Sequence, residues 1–235
     1  MFSSFSFFSF PPLITLKKTG FTKKGQKYLR KRETFVKNKD NIYNSWRMIL
    51  LIGPSASGKT EISKLLGFRY GISKAITHTT RAPRKGEVYG VDYYFVQEED
   101  FLQLMKKGAF VENTVYNGNH YGCSKAEIAD DKVVVVDPNG LKSFLSLKDP
   151  SVVTFFLNAS EETRRKRMEA RKDKPEDIEK RLLNDKEAFS SDKIQGIDYF
   201  IDTDKRSMES LVKEIYEDYV LKLKERGIQN PNIIH

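Results

Sequence analysis

The sequence predicts an α/β fold in which helices cover both faces of a parallel sheet, with a small β-rich insertion. Two observations support this prediction. Residues 132–137 read KVVVVD and residues 151–157 read SVVTFFL, and such continuous β-branched runs are typical of strands buried on both faces. Helical patterns separate these runs, and strands that alternate with helices favour a parallel sheet.

The individual elements follow from local patterns in chain order. The main sheet is predicted to contain strands at residues 48–52, 72–76, 132–137, 151–157 and 199–201. Helices are predicted at residues 61–66, 98–107, from 161 onwards, 178–189 and 208–223. Ser160 is a suitable N-cap, Pro175 interrupts the helical pattern, and Gly227 ends the last helix. Residues 77–128 are polar, aromatic and punctuated by glycine, which predicts the β-rich insertion.

Residues 53–60 read GPSASGKT, the P-loop pattern of Gly, four residues, Gly-Lys and Ser or Thr. The two glycines let the backbone curl so that its N–H groups face phosphate oxygens, and the next helix adds its N-terminal dipole. Lys59 is expected to reach the β and γ phosphates, and the Thr60 hydroxyl to bind Mg²⁺. The sequence thus predicts a P-loop NTPase core, with ATP bound by Gly53, Pro54, Ser55, Ala56, Ser57, Gly58, Lys59 and Thr60.

A second phosphate-binding segment follows closely. Residues 77–95 read THTTRAPRKGEVYGVDYYF, with two arginines and a tyrosine suited to gripping another phosphate. Two phosphate-binding segments close together in sequence suit a protein that transfers a phosphoryl group between two nucleotides.

Residues 48 to about 226 resemble guanylate kinase, a nucleoside monophosphate kinase. The resemblance rests on TTRAPR, then GE, one Gly, DY and F at fixed spacing, followed by the Glu of FVE and the YG pair. It implies a catalytic domain over residues 48–227, with a GMP-binding subdomain at about 77–128 and a lid at about 167–185. It also implies Mg²⁺-dependent transfer of the ATP γ-phosphoryl group to GMP or dGMP, in purine nucleotide metabolism.

The resemblance implies roles for the acceptor-site residues. Guanine presents N1–H and an amino group on one edge, two donors that a carboxylate accepts together, and Glu112 is implied in this role. Adenine lacks this donor pair and is expected to be rejected. Arginines and tyrosines clamp the GMP phosphate, and the other residues lie around the base. The implied GMP site is Thr77, Arg81, Arg84, Tyr93, Glu112, Tyr121, Cys123 and Asp137.

The basic segment RRKRMEARKDKPEDIEKRL resembles the lid of the family. Arg167, Arg171 and Arg181 fall on positions that close over the donor phosphates, so they are implied as catalytic residues together with Lys59. Phosphoryl transfer rests on in-line positioning and on neutralising the charge of the transferring oxygens. Closure of the lid excludes water that would hydrolyse ATP.

Four departures from the family pattern predict altered efficiency or nucleotide preference. Cys123 stands where Ser or Thr is usual, and a thiol is the weaker hydrogen-bond partner. Val135 replaces a common acid, which leaves Asp137 as a possible Mg²⁺ ligand on that strand. Pro138 and Asn139 replace an apolar-Gln pair, and Thr203 lies where Asn is usual near the adenine.

Charge and composition limit the partners. Residues 1–47 hold eleven Lys or Arg and two acids, whereas residues 48–235 hold thirty of each sign, so the net charge of +9 does not indicate a nucleic-acid partner. No apolar stretch is long enough for a transmembrane helix. The single cysteine excludes an internal disulfide and fits a reducing compartment. We therefore expect a cytoplasmic monomer or homodimer that binds ATP and GMP or dGMP, without nucleic acid or membrane.

Residues 1–47 are predicted to be an extension outside the catalytic domain. The segment begins MFSSFSFFSF, contains no acid before Glu33, and is basic and Ser-rich, which is typical of an organelle transit peptide. A mitochondrial or plastid location is then the alternative to the cytoplasm. The extension is otherwise disordered, or Met48 is the true start of the protein. Residues 228–235 are expected to be a frayed tail.

Two other functions remain open from the residues alone. A catalytically inactive guanylate-kinase-like module would bind phosphopeptides with the same arginines, but it would have no use for Lys59. The other is a kinase of this fold with another acceptor, such as a sugar phosphate. A sugar phosphate, however, has no edge of two parallel donors to match Glu112.

Overall fold

The computed structural model describes residues 47–228 except 85, 117, 129–130 and 191–192. The predicted extension, except Arg47, and most of the predicted tail lie outside the described residues. Among the described residues no helix is long and apolar enough to cross a membrane.

The described residues form nine strands and six α-helices. The strands are β1 Met48–Ile52, β2 Ser73–Lys74, β3 His78–Thr79, β4 Tyr94–Phe95, β5 Phe110–Tyr116, β6 Asn119–Ser124, β7 Lys132–Val135, β8 Val152–Asn158 and β9 Tyr199–Asp202. The helices are α1 Lys59–Tyr70, α2 Glu98–Lys106, α3 Pro138–Ser146, α4 Glu161–Ala170, α5 Pro175–Ala188 and α6 Met208–Glu225.

The main sheet is five-stranded and parallel, in the order β2-β7-β1-β8-β9. Every side chain of the central strand β1 is buried. Ile49 and Leu51 pack on one face of the sheet with α1 and α6. Met48, Leu50 and Ile52 pack on the other face with α3. Helices therefore cover both faces, and the predicted fold class is confirmed.

A smaller four-stranded sheet, in the order β4-β3-β6-β5, carries the predicted insertion. Strands β5 and β6 form an antiparallel hairpin with an irregularity between Phe110 and Glu112. Phe101 of α2 stacks on Phe110. A Cβ at Gly122 would lie 2.9 Å from the Phe110 ring and 3.0 Å from the Phe101 ring, so only glycine lets the strand lie this close to the stacked rings.

Of the element boundaries that differ from the sequence prediction, two do so for identifiable local reasons. Strand β7 ends at Val135, before the predicted end at Asp137, because Asp137 is the N-cap of α3 and its Oδ1 accepts the Gly140 N–H at 2.8 Å. Helix α5 begins at Pro175 and not at Ile178, because proline suits the first position of a helix, where no N–H partner is needed.

Helices α4 and α5 contain the predicted lid of residues 167–185, and we call these two helices the lid region. They pack together through Met168, Ile178 and Leu182, and Ala56 of the phosphate loop packs against this cluster. Lys172, in the connection between the two helices, has a φ of 63°. The lid region therefore lies directly against the phosphate loop.

Candidate active site

The phosphate loop of residues 53–60 joins β1 to α1. Gly53 and Gly58 have φ values of 149° and 103°, which are accessible to glycine but strained for other residues. A Cβ at Gly53 would lie 2.2 Å from the carbonyl oxygen of Leu157 in β8, so packing against the neighbouring strand also requires glycine here. The loop thus has the curvature that the motif predicts.

Lys59 lies within the curve of the loop. Its Nζ donates to the carbonyl oxygens of Gly53 at 2.6 Å and Pro54 at 2.7 Å, and to Ser57 Oγ at 3.3 Å. Burial lowers the pKa of Lys59 to about 8, against the opposing effect of the Asp185 charge. The ammonium group is held on loop carbonyls that the phosphates of a nucleotide would have to replace.

The metal expectation rests on Thr60 and Asp137. Thr60 is exposed in the first turn of α1, beside Lys59, so its hydroxyl fits a hard cation. The described residues contain no group of three or more His, Cys, Asp or Glu side chains that could hold a metal ion. A Mg²⁺ ion at Thr60 would take its other oxygen ligands from nucleotide phosphates and water.

Glu112 of β5 and Asp137 at the start of α3 are two acids whose charges interact. Glu112 is buried, and its Oε1 accepts the Cys123 N–H at 3.0 Å. Glu112 Oε2 and Asp137 Oδ2 are both buried without a hydrogen-bond partner among the described residues. Burial, with the Asp137 charge as a second cause, raises the pKa of Glu112 to about 7. Such oxygens call for a ligand that brings hydrogen-bond donors.

Gly140 makes room at this pair. A Cβ there would lie 3.2 Å from Glu112 Oε2 and 3.0 Å from Val136 Cβ. Thr77 is buried near the start of the small sheet, and its carbonyl accepts the Tyr94 N–H at 2.9 Å. The missing side chain at Gly140 lets the start of α3 lie close to Glu112.

Cys123 contacts Glu112 through its backbone, not its thiol. The side chain is fully buried in the apolar cluster that contains Leu50 and Ala75, and Sγ lies 4.0 Å from the Ser124 carbonyl oxygen. Burial strongly raises the pKa of this thiol. We therefore expect thiol-alkylating reagents not to modify Cys123.

The predicted phosphate clamp is assembled around Glu87. Arg81 Nη2 lies 2.9 Å from Glu87 Oε1, and the Arg84 N–H donates to Glu87 Oε2 at 2.7 Å. The Arg81 guanidinium also lies 5.3 Å from the Tyr93 ring centroid, and the Tyr93 and Tyr121 rings are 6.3 Å apart. The structure thus brings together the four residues predicted to grip the acceptor phosphate.

Arg167 has different partners from the other two lid arginines, which share Asp173. Arg167 donates to the Ala56 carbonyl oxygen at 3.0 Å and to the Thr203 carbonyl oxygen at 3.0 Å, so it braces the phosphate loop. Arg171 lies 2.7 Å from Asp173 Oδ2, and Arg181 lies 3.9 Å from the same atom.

The positive charges at the predicted donor-phosphate and acceptor-phosphate sites influence one another. The charges of Arg171 and Arg84 lower the pKa of Lys59, after burial and the Arg164 charge. Burial, followed by the charges of Arg81, Arg181 and Arg171, lowers the pKa of Arg84. The lid cations therefore act on the donor grip and on the acceptor grip together.

Thr203 serves the phosphate loop in this structure. Its hydroxyl is within hydrogen-bond distance of the Ser57 carbonyl oxygen at 3.1 Å and the Asn158 carbonyl oxygen at 3.0 Å.

Asp185, Arg164 and Tyr116 lie at the cleft, although the sequence did not predict them as site residues. Asp185 accepts hydrogen bonds from Ser55, from Arg164 and from the Tyr116 hydroxyl. A signal was present in the sequence, because Asp185 follows Ile178 and Leu182 at helical spacing and Arg164 precedes Met168 by four residues. A charged residue on a buried helical stripe indicates a buried polar partner.

Comparisons with known proteins agree with this geometry. The guanylate kinase family profile matches residues 45–219. The chain is 37% identical to the guanylate kinase of Anaplasma phagocytophilum over 164 residues, which span 66% of this chain and 77% of that protein. It is 31% identical to the guanylate kinase of Helicobacter pylori strain 26695 over 193 residues, or 78% of this chain and 92% of that protein.

A solved structure gives the same result. The crystal structure of the Anaplasma phagocytophilum guanylate kinase superposes with a TM-score of 0.58 at 28% identity, over 80% of this chain and 90% of that one. The resemblance inferred from the sequence motifs is thereby confirmed. Because the family profile spans most of the residues and the relatives exceed 30% identity over most of their length, this chain belongs to the guanylate kinase family.

Proposed function

We propose that this protein transfers the γ-phosphoryl group of ATP to GMP or dGMP, giving ADP with GDP or dGDP, as a step in purine nucleotide metabolism. The single observation that carries the acceptor assignment is Glu112 Oε2, a buried carboxylate oxygen without a partner among the described residues. An unpaired buried oxygen of this kind destabilises the fold, so it is best explained by a ligand that donates to it.

Guanine supplies the donors that this carboxylate lacks. Its N1–H and amino group lie on one edge, and a carboxylate accepts such a pair in parallel. Binding of guanine also favours ionised Glu112, opposing the burial that raises its pKa to about 7. Adenine would leave Glu112 buried and unsatisfied, which is the basis for rejecting AMP.

The phosphate groups of both substrates are proposed to meet between the two grips. Arg81, Tyr93 and Tyr121 hold the acceptor phosphate, and Lys59 leaves the loop carbonyls to contact the donor phosphates. Arg167, Arg171 and Arg181 neutralise charge on the transferring oxygens as the lid closes. A Mg²⁺ ion bound with ATP, with Thr60 as a ligand, would neutralise further phosphate charge.

The alternatives are not favoured. An inactive binding module would not need a half-buried lysine held on the carbonyl oxygens of a phosphate loop. A sugar phosphate can donate single hydroxyl groups to these oxygens, but it has no planar edge with two parallel donors to match the Glu112 carboxylate.

A coupled assay of ADP formation tests the proposal. Purified protein is given Mg²⁺-ATP with GMP, dGMP, AMP, CMP, UMP or ribose bisphosphate in turn. We expect turnover with GMP and dGMP, and at least about a hundredfold lower kcat/KM with the other acceptors. Comparable turnover with ribose bisphosphate would support the sugar-phosphate alternative, and binding of ATP and GMP without GDP formation would support the inactive module.

A further inference from the structure

Asp185 is a buried acid in a position that its helix otherwise fills with apolar side chains. Its side chain is 1% exposed, on the same stripe of α5 as Ile178 and Leu182. Its carboxylate accepts the Ser55 N–H at 2.8 Å, the Ser55 hydroxyl at 3.2 Å and an Arg164 N–H at 2.8 Å, together with the Tyr116 hydroxyl. Four donors to two oxygens hold this carboxylate firmly in place.

The four donors come from three parts of the molecule. Ser55 belongs to the phosphate loop, Arg164 to α4, and Tyr116 to the end of β5 in the small sheet. Asp185 therefore connects the lid region to the loop that binds donor phosphates and to the sheet that binds the acceptor. One carboxylate thus occupies the point where the three parts meet.

The charge of Asp185 lies among cations suited to phosphate. Asp185 is the charge that favours the ionised form of Lys59, whereas burial, Arg164, Arg171 and Arg84 all lower the pKa of Lys59. Lys59 itself contacts the carbonyl oxygen of Pro54, the residue before Ser55. A phosphate that enters the loop meets a like charge there and competes with it for the same donors.

We propose that the Asp185 carboxylate is an internal anion in the donor-phosphate cleft that lowers the affinity for ATP. Binding of the donor phosphates loosens the contact of Asp185 with Ser55 and makes Arg164 available to phosphate oxygens. Asp185 is a positioning residue, because it acts through Ser55 and Arg164. The inference rests on the proposed function for the identity of the donor nucleotide.

The test compares ATP affinity with stability in the Asp185→Asn variant. Calorimetric titration of the full chain with Mg²⁺-ATP, without GMP, should show binding about tenfold tighter than wild type, because a like charge has been removed. The melting temperature without nucleotide should fall, because Arg164 keeps its buried charge and loses its partner. A structural role alone would lower both stability and ATP affinity.

A matched control separates this effect from a general change in the helices. Glu179 also lies on α5 and pairs with Arg165 of α4, but this pair is on the exposed side. Glu179→Gln makes the same change of charge between the same two helices, and it should leave the ATP affinity within about twofold of wild type, as for surface pairs.

A second variant keeps the test decisive if Asp185→Asn does not fold. Tyr116→Phe removes one donor to Asp185 without changing any charge, and should tighten ATP binding by about two- to fivefold, the worth of one hydrogen bond. ATP affinity equal to or weaker than wild type in whichever variant folds would overturn the proposal. Because the titration contains no GMP, failure of wild type to make GDP would overturn the proposed function and leave this result standing.

Discussion

The donor side and the acceptor side of the cleft differ in how far their charged groups are already paired within the chain. On the donor side, Lys59 rests on loop carbonyls and Arg167 on Ala56. On the acceptor side, Glu112 and Asp137 each keep a buried oxygen without a partner among the described residues. ATP therefore has to exchange existing contacts for new ones, whereas guanine meets acceptors that lack donors.

This difference bears on how affinity and specificity arise. Replacement of one set of hydrogen bonds by another gives only a small net free energy, so the donor side gains most from the charges of the phosphates. An unsatisfied buried carboxylate is costly, so the acceptor side discriminates strongly between bases that can and cannot donate to it. The predictions below test each side in turn.

The largest effect is expected from Lys59→Ala on the donor side. The substitution removes the only cation described within the curve of the phosphate loop, so kcat should fall by about 100- to 1,000-fold. The melting temperature should not fall, because burial already disfavours the lysine charge. Steady-state kinetics and thermal melts measure the two quantities, with the exposed Lys213→Ala as the control. A kcat within tenfold of wild type would contradict the role given to Lys59.

On the acceptor side, Glu112→Gln should lower kcat/KM for GMP by about 2–4 kcal/mol, because an amide donor would face the donors of guanine. The affinity for ATP should hardly change, since Glu112 touches no part of the donor loop. Kinetics with each substrate varied separately measure this split, and Glu99→Gln on the exposed face of α2 is the control. Equal losses for GMP and ATP would show that Glu112 is structural.

The raised pKa of Glu112 predicts a pH dependence on the acceptor side. In the free enzyme kcat/KM for GMP should fall as the pH drops below about 7, because protonated Glu112 cannot accept both guanine donors. The Gln variant should lack this part of the profile, which separates it from titration of the GMP phosphate itself. A wild-type profile that matches the variant from pH 5 to 8 would rule out titration of Glu112.

The same pKa shift affects folding stability in the opposite direction. The folded state holds the Glu112 proton more tightly than the unfolded state, so this group's contribution is most favourable below pH 4.5 and is lost as the pH rises to about 7. Glu112→Gln should therefore be more stable than wild type at pH 8 by about 1–3 kcal/mol, and the difference should shrink at pH 5. Thermal melts at the two pH values measure it.

The last prediction concerns the residue at which the catalytic domain begins and its effect on stability. The family match begins at residue 45, and Arg47 forms a bidentate pair with Asp131 at 3.1 and 3.0 Å. A chain starting at Ser45 should keep the activity and melting temperature of the full chain. A chain starting at Met48 should lose about 1–3 kcal/mol of stability, because Asp131 loses its arginine. Unfolding in urea measures the loss, and poor folding of the Ser45 chain would contradict the proposed domain boundary.

The sequence predicted those parts of the molecule whose signals are local. The runs that became β1, β7 and β8 were found because buried parallel strands are apolar throughout, and the phosphate loop because its glycines and lysine are adjacent. Helix α3 was missed because it opens with Pro-Asn-Gly, which is also typical of a turn. Strand β6 was missed because it is polar and owes its conformation to pairing with β5.

The contacts of the site were harder to predict, because they join residues that are far apart in sequence. Asp185 is separated from Ser55 by 130 residues, and no local pattern connects the two. Arg167 likewise contacts the Ala56 carbonyl oxygen, which lies 111 residues away in sequence. Motifs therefore identified the residues that hold phosphate and base, while the partners that hold those residues required the fold.

The strand order of the main sheet has a consequence for biosynthesis. Met48 of β1 pairs with Lys132 on one side and with Val152 on the other, so β1 can pair only with strands that are synthesised much later. Until then, five consecutive apolar residues have no sheet to enter. We therefore expect the core of this enzyme to form only after β8 has left the ribosome, and a nascent chain that stops short of β8 to depend on chaperones to avoid aggregation.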